Sequence, residues 1–284
     1  MRVLIIAGLT FREAWRQKTF WMAFILGIAF LTLYDIGFHF IIIDYTQNTH
    51  LAEISGPAGI NILEYEASGI FLILGLYAVN FLIIMMSALT SVATLSGEIS
   101  SHTIQAIATK PIRRWEILVG KFLGLTGMLL LYTVFMAGGL VVEVYLRTGY
   151  LPPNVLPGLG LMILEGLTVF GITLLGGTYL STLANGVLVF MLYGIAFAGG
   201  WVEQFGAVAD SQTAVQVGIV TSLIMPAEAC WRLASDLMQP ILVKQMQFPM
   251  TNFSAPSPAM VVYTVAYVLV LLVLALRQFH RRDL

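Results

Sequence analysis

The sequence predicts an all-α integral membrane protein with six transmembrane helices. Of its 284 residues, 58% are hydrophobic and 10% are charged, whereas soluble domains are about 45–50% apolar and about 25% charged. Six apolar runs, separated by polar connections, are each long enough to cross the hydrocarbon core, which takes about 20 residues per helix. Residues 1–284 are therefore interpreted as one transmembrane domain.

An amphipathic helix is expected before the first span. Val3, Ala7 and Phe11 recur at helical spacing, and basic residues such as Arg12 and Arg16 occupy the other side. This pattern is typical of a helix that lies in the membrane interface. The alternative is a plain N-terminal extension of the first span.

The predicted spans occupy residues 20–43, 70–95, 117–142, 159–180, 183–201 and 259–276. Between the last two, residues 214–225 are apolar but too few for a span, which favours a re-entrant or interfacial helix. Pro226 should end that helix, and residues 228–238 predict a second, amphipathic one. We therefore expect short helices on the outer side between spans five and six.

The distribution of positive charge predicts the orientation. Alternating spans put eleven of the 14 lysines and arginines on one side: Arg2, Arg12, Arg16, Lys18, Lys110, Arg113, Arg114, Lys121, Arg277, Arg281 and Arg282. The other side keeps Arg147, Arg232 and Lys244. The positive-inside rule then places both termini in the cytoplasm. A seventh span at 214–225 would place the C-terminal basic cluster on the outer side, so the charge pattern argues against it.

The connection between spans two and three carries the densest group of charges, from Glu98 to Lys121. Apolar residues at helical spacing predict a short helix there, which Pro111 should end at Lys110. Glu116 then opens the next helix, where a carboxylate suits the positive end of the helix dipole. The prediction is a charged helix–break–helix elbow over residues 96–116. A solvated loop that only obeys the positive-inside rule is the alternative.

The same stretch resembles the loop after the second span of ABC-2 type ABC-transporter permeases, and most of all the group described as multi-copper-enzyme-maturation permeases. The resembling positions are Gly97, Glu98, Thr103, Ile104, Lys110, Pro111, Arg114, Glu116, Gly120 and Lys121. His102 departs from the pattern, because many members have glycine before the threonine. With the six-span layout and the basic tail, the resemblance extends over nearly the whole chain.

The resemblance implies that the elbow is a coupling helix that docks on a separate ATPase subunit. The residues expected to couple are Glu98, Thr103, Lys110, Pro111, Arg113, Arg114, Glu116 and Lys121. It also implies a second permease copy or a homologue, with ATP and Mg bound by the ATPase and no cofactor bound by this chain. Membrane lipids are the remaining expected partner, and the net charge of −1 suggests no nucleic acid.

Three polar residues inside the spans are candidates for a transport path or for interhelical contacts. Glu165 is the most costly of them, because a charge near the bilayer centre costs about 2.5–3.5 kcal/mol. A functional role and a packing role are equally open for it. Asp35 lies toward the outer end of its span, four residues before His39, where water reaches it. Asn80 is interpreted as an interhelical hydrogen-bonding residue.

Motifs for other chemistry are missing from the sequence. It has no G-x-x-x-x-G-K-[ST] nucleotide-binding loop, no H-E-x-x-H and no G-x-S-x-G. Its single cysteine and its four histidines, none at ligand spacing with another His or Cys, disfavour a structural zinc site. Outer-segment methionines such as Met238, Met246 and Met250 are interpreted as apolar packing residues rather than a copper site. We therefore expect no metal and no enzymatic activity.

The resulting hypothesis is the permease subunit of an ATP-driven exporter in a prokaryotic plasma membrane. The alternative is an ATP-independent six-span channel or secondary carrier. The sequence has no TVGYG-like selectivity filter and no two similar halves with interrupted spans, which argues against this alternative. An embedded enzyme is a third and weaker alternative. An ATPase encoded by a neighbouring gene would favour the first hypothesis. The cargo is left open by the sequence.

Overall fold

The computed structural model describes residues 2–48, 62–100, 113–240, 244 and 256–281. These residues form helices and no strand, which confirms the predicted all-α class. In chain order the helices are α1 (Arg2–Arg16), α2 (Lys18–Asn48), α3 (Ile62–Ser100), α4 (Arg114–Thr148), α5 (Val155–Gly177), α6 (Thr182–Val208), α7 (Gln212–Ile224), α8 (Ala227–Met238) and α9 (Ala259–Arg281).

Six of the described helices, α2 to α6 and α9, are long and apolar enough to cross a membrane, as the sequence predicts. Their ends differ from the predicted spans in two instructive places. The fourth span ends at Gly177 rather than 180, because the chain turns through residues 178–181 before α6 begins. The fifth span continues to Val208 rather than 201, because α7 packs along its last turns and buries their polar residues.

Helix α5 is the centre of the bundle. In its most apolar window 67% of the residues are buried, against 11% in α2, which lies at the periphery with most of its side chains exposed. Glycines let neighbours approach α5 closely: a Cβ at Gly158 would meet Met238 of α8, and one at Gly166 would meet Leu129 of α4. Close packing of this kind holds helices together in lipid, where no hydrophobic force drives their association.

Helix α4 is continuous in direction but contains one π-helical turn, at Val134–Gly138. The sequence analysis did not predict this turn. Such turns occur as single insertions within α-helices. The half before the turn packs on α1 and the half after it contacts α2; Tyr132, just before the turn, also reaches α2 and donates a hydrogen bond to the carbonyl oxygen of Ala23 over 3.1 Å.

Helix α1 packs directly on the first half of α4. Its fully buried residues are Ile6, Thr10 and Ala14, whereas Val3, Ala7 and Phe11 of the predicted apolar row are half-buried beside them. The contact depends on two glycines of α4. A Cβ at Gly120 would lie 2.7 Å from Ile6, and one at Gly124 would lie 2.6 Å from the carbonyl oxygen of Ala7.

Helices α7 and α8 form a hairpin bent by 108° between them. Helix α7 runs back along α6, with Thr221 against Gly199, and ends at Met225–Pro226. Helix α8 then returns toward the start of α5, where Asn154 donates a hydrogen bond to the carbonyl oxygen of Leu237 over 3.4 Å. Both ends of the hairpin therefore lie at the same end of the bundle, so it enters the bundle and leaves again. This agrees with the re-entrant helix that the sequence favours for residues 214–225.

The placement of α8 differs from the sequence expectation. It was predicted as an amphipathic helix on the outer side, but nearly all of its residues are buried among α5, α6 and α9, including Trp231, Cys230 and Arg232. Of its charged residues, Arg232 pairs with Glu203 inside the bundle, Glu228 is buried, and Asp236 pairs with Lys244 at a partly exposed position. Arg232 is therefore not an outer-side surface charge, as the count of positive residues had assumed.

The contact between α1 and α4 gives a first prediction. Gly124→Ala should lower the apparent melting temperature of the purified protein by several degrees, because overpacking against a backbone carbonyl typically costs about 1–3 kcal/mol. The control is Gly160→Ala in α5, where an added Cβ meets nothing within 4 Å. Equal melting temperatures for both variants would show that α1 does not pack on α4 in this way.

Candidate coupling surface and intramembrane polar site

The predicted elbow lies partly outside the described residues. Thr103, Lys110 and Pro111, together with the predicted short helix and its break, belong to the range 101–112, which the structure does not describe. Glu98 lies on the last turns of α3, which extends to Ser100, but its side chain is likewise not described. The described part of the candidate coupling surface therefore begins at Arg113.

The start of α4 is built by Arg113 and Glu116. Arg113 is the residue before the helix, in extended conformation, and its side chain is exposed. Its backbone N–H donates a 2.9 Å hydrogen bond to the carboxylate of Glu116. A carboxylate in this position satisfies one of the unpaired N–H groups at a helix start and suits the helix dipole. The helix thus begins where the sequence places it, with Arg113 directed to solvent.

Arg114 has a different environment. Its guanidinium donates hydrogen bonds to the carbonyl oxygens of Phe279, over 3.4 Å, and His280, over 3.1 Å, at the end of α9. Terminal carbonyl groups of a helix have no partner within the helix, and a cation there is favourable. Arg114 therefore ties the sixth span to the start of the third.

Lys121 is not on a surface. Its side chain is 2% exposed within the bundle, although the sequence grouped it with the coupling residues. Among the predicted coupling residues whose side chains are described, Arg113 is exposed, Arg114 and Glu116 are half-exposed, and Lys121 is buried.

Glu165, at the middle of α5, is completely buried, with 0% exposure. Asn80 of α3 and Tyr193 of α6 lie beside its carboxyl group, and Glu228 of α8 interacts with it electrostatically. Neither neighbour reaches hydrogen-bonding geometry, since both carboxyl oxygens are without a hydrogen-bond partner, as is the side-chain oxygen of Asn80. The structure thus brings together two of the three polar residues predicted inside the spans and adds Glu228 to them.

A buried ion pair includes Arg232, which lies one helical turn after Glu228 in α8. The guanidinium of Arg232 is 2.9 Å from a carboxylate oxygen of Glu203 and donates a hydrogen bond to the hydroxyl of Ser222 over 3.0 Å. This joins α6, α7 and α8. The sequence analysis missed the site because it ended the fifth span at Trp201 and placed Arg232 outside. The available signal was Glu228 and Arg232 at i, i+4 spacing among apolar residues.

The break at Pro226 also has its backbone satisfied. Tyr263 and Tyr267 of α9 donate hydrogen bonds to the carbonyl oxygens of Leu223, over 2.6 Å, and Ile224, over 2.8 Å. These are among the terminal carbonyl groups of α7, which have no partner within their helix. Because a bilayer core offers no water, irregular backbone is tolerated there only when protein supplies the partners.

Asp35 is separate from this cluster. It lies at the outer end of α2, where the Nε of Arg147 donates a 2.7 Å hydrogen bond to its carboxylate, while another guanidinium nitrogen lies 3.0 Å from Nδ1 of His39. The contacts among Asp35, His39 and Arg147 hold α2 against the outer end of α4. The i, i+4 spacing of Asp35 and His39 is thus used, but as a packing contact rather than as part of one path with Glu165.

The chemistry of the intramembrane site is that of packing and charge balance. Three buried carboxyl groups, of Glu165, Glu203 and Glu228, face one buried cation, Arg232. Within the part of the chain that the structure describes, no group of three or more His, Cys, Asp or Glu residues is placed to hold a metal ion.

The bundle and its re-entrant hairpin define a multi-pass α-helical membrane protein with an ion pair, Arg232 and Glu203, buried inside the bundle. The family model for ABC-2 family transporter proteins matches residues 4–284, and the chain belongs to this family. This confirms the resemblance at the level of the family. Comparison with curated proteins finds no match.

The ion pair gives a second prediction. Arg232→Met should destabilise the protein by about 3–5 kcal/mol, because it leaves the carboxylate of Glu203 buried without its cation. Arg232→Met combined with Glu203→Gln should recover most of this loss. The readout is the apparent melting temperature in detergent for the two single variants and the double variant. Additive losses in the double variant would show that the two side chains are not coupled.

A third prediction concerns Glu165. Glu165→Gln should melt at or above the wild-type temperature, because a neutral amide of the same shape removes a buried carboxyl group without a partner. Glu165→Lys should not accumulate as folded protein. Asp210→Asn, at an exposed site after α6, controls for the acid-to-amide change itself. A Gln variant that melts well below the wild type would show that the bundle requires the carboxyl group.

Proposed function

We propose that this chain is the membrane-spanning permease subunit of an ATP-driven exporter, with ATP hydrolysis in a separate ATPase subunit. Membership of the ABC-2 transporter family carries this proposal. The sequence supports it, since the chain has no nucleotide-binding loop of its own. On this proposal two copies, or one copy and a homologue, form the pathway in a prokaryotic plasma membrane, with both termini in the cytoplasm.

Coupling through the elbow is supported by what the elbow joins. Residues 96–116 connect α3 to α4, and α3 packs against α5 at the centre of the bundle. Arg114 links the same point to the end of α9, and α1 rests on the first turns of α4. A push by the ATPase on the elbow would therefore act on four helices at once. ATP and Mg belong to the partner in this scheme.

Within the family we assign the chain to the multi-copper-enzyme-maturation group, on the residue pattern from Gly97 to Lys121. This assignment concerns sequence similarity and does not make copper the cargo. The methionines that suggest copper are in part packing residues, since Met238 fills the space over Gly158.

The fourth prediction tests docking. Arg113→Glu should abolish co-purification of an ATPase subunit with the tagged permease, and with it the ATPase activity of the eluate, because an exposed docking cation is reversed. The structure favours Arg113 over Arg114 for this purpose, since changing Arg114 also breaks its contact with α9. Lys244→Glu provides the matched charge reversal at a half-exposed site on the predicted outer side.

Two results would count against different parts of the proposal. Retention of the ATPase by the Arg113→Glu variant would remove Arg113 from the interface. A folded wild-type protein that brings down no ATPase would favour the ATP-independent channel or carrier, and flux without ATP would then be measured.

A further inference from the structure

A groove lies between the C-terminal half of α1 and the middle of α4. Its volume is about 590 Å³, and it is lined by Phe11, Arg12, Trp15, Arg16 and Leu131. This volume is in the range of sites that hold small molecules, about 300–1,000 Å³. The lining combines an apolar wall with two cations, a combination that neither a purely lipid-facing nor a purely solvated surface requires.

The two kinds of side chain form parallel rows. Phe11 and Trp15 are four residues apart, and their rings stack with centroids 6.2 Å apart. Arg12 and Arg16, one residue further along, form the same i, i+4 pair beside them. Because residues four apart lie on one face of a helix, a basic row runs along an aromatic row.

Both arginine side chains, Arg12 and Arg16, are exposed. Neither forms an ion pair with a carboxylate among the described residues. The groove is also held in place from behind, because the opposite side of α1 is packed on Gly120 and Gly124 of α4. The groove is therefore present before any ligand arrives.

Aromatic residues indicate the depth of the groove. Trp15 and Trp21 contact each other edge to face at 5.6 Å, and both are partly exposed. Tryptophans of membrane proteins concentrate at the level of the lipid headgroups. Leu131, at the middle of the third span, and Val134 are both exposed and continue the apolar wall of the groove along α4.

We propose that this groove binds an anionic phospholipid, with the headgroup phosphate between Arg12 and Arg16 and the first part of an acyl chain along Phe11, Trp15 and Leu131. Two exposed guanidinium groups select negative charge and suit phosphate geometry. The apolar wall selects a lipid over a soluble anion, which would leave that wall in contact with water. The proposal needs the membrane location but not the ATPase, so it can fail independently of the proposed function.

The fifth prediction uses Trp15 as the reporter. The full chain is reconstituted into phosphatidylcholine vesicles that contain about one tenth brominated phosphatidylglycerol or, separately, brominated phosphatidylcholine. The contribution of Trp15 is the difference in quenching between wild type and Trp15→Phe. We expect a preference for the anionic lipid that falls about 25-fold in Arg12→Gln/Arg16→Gln, since each of the two basic residues near an anionic surface contributes about fivefold.

The controls separate this groove from general charge attraction. Arg277→Gln/Arg281→Gln removes two charges from the predicted cytoplasmic side and should keep the preference at Trp15. Arg12→Lys/Arg16→Lys should keep most of it. Since Arg12 and Arg16 are exposed, the Gln variant should retain its helix content and melting temperature, which are measured on the same samples.

Three results would overturn the proposal. Equal quenching by the two brominated lipids in the wild type would show that the groove does not select charge. An equal loss of preference in the Arg277→Gln/Arg281→Gln variant would show that net charge is responsible. Relief of quenching by millimolar inorganic phosphate or glycerol phosphate at constant ionic strength would identify the groove as a site for a soluble anion instead.

Discussion

The helical break at Pro226 constrains the rest of the bundle, because a backbone interrupted inside a membrane must find partners in protein. The hydroxyl groups of Tyr263 and Tyr267 supply two of them, and both come from α9. Helix α9 must therefore lie beside the hairpin tip, and α6 must lie on its other side to pair Glu203 with Arg232. The position of two spans thus follows from the requirement to close one break.

The same requirement explains what the sequence could and could not predict. Hydrophobic runs give the six spans directly, since about 20 apolar residues have few other uses in a chain of this size. The end of α6 was missed because Glu203 and Gln204 read as the beginning of a loop. Both side chains are buried. This is because α7 runs back along α6 and covers them, and α8 supplies the cation that pairs with Glu203. Partners distant in sequence decide such cases, and the local pattern does not contain them.

The candidate sites show a similar division. The carboxylate of Glu116 follows local helix rules, and the structure has it at the start of the helix. Arg113 and Arg114 are adjacent and chemically identical, so nothing in the sequence separates the exposed residue from the one that binds the end of α9. Likewise, Glu165 stands out by its cost in an apolar run, whereas its neighbour Glu228 was hidden by a helix that looks like a surface helix. Burial of a whole helix depends on tertiary packing.

The π-helical turn of α4 determines which way the side chains of its outer half point, around the helix axis, relative to those of its first half. An α-helix advances by about 100° per residue, so one extra residue would turn the outer half of α4 out of register with the glycine row under α1, and the wider turn at Val134–Gly138 absorbs that residue. Removing one residue inside this turn should therefore restore a regular helix with Arg147 still facing Asp35, whereas removing one outside it would turn Arg147 by about 100°. The π-helical turn therefore keeps two contacts of α4 aligned: the packing of α1 on its first half, and the contact of Arg147 with Asp35 and His39 of α2 at its outer end.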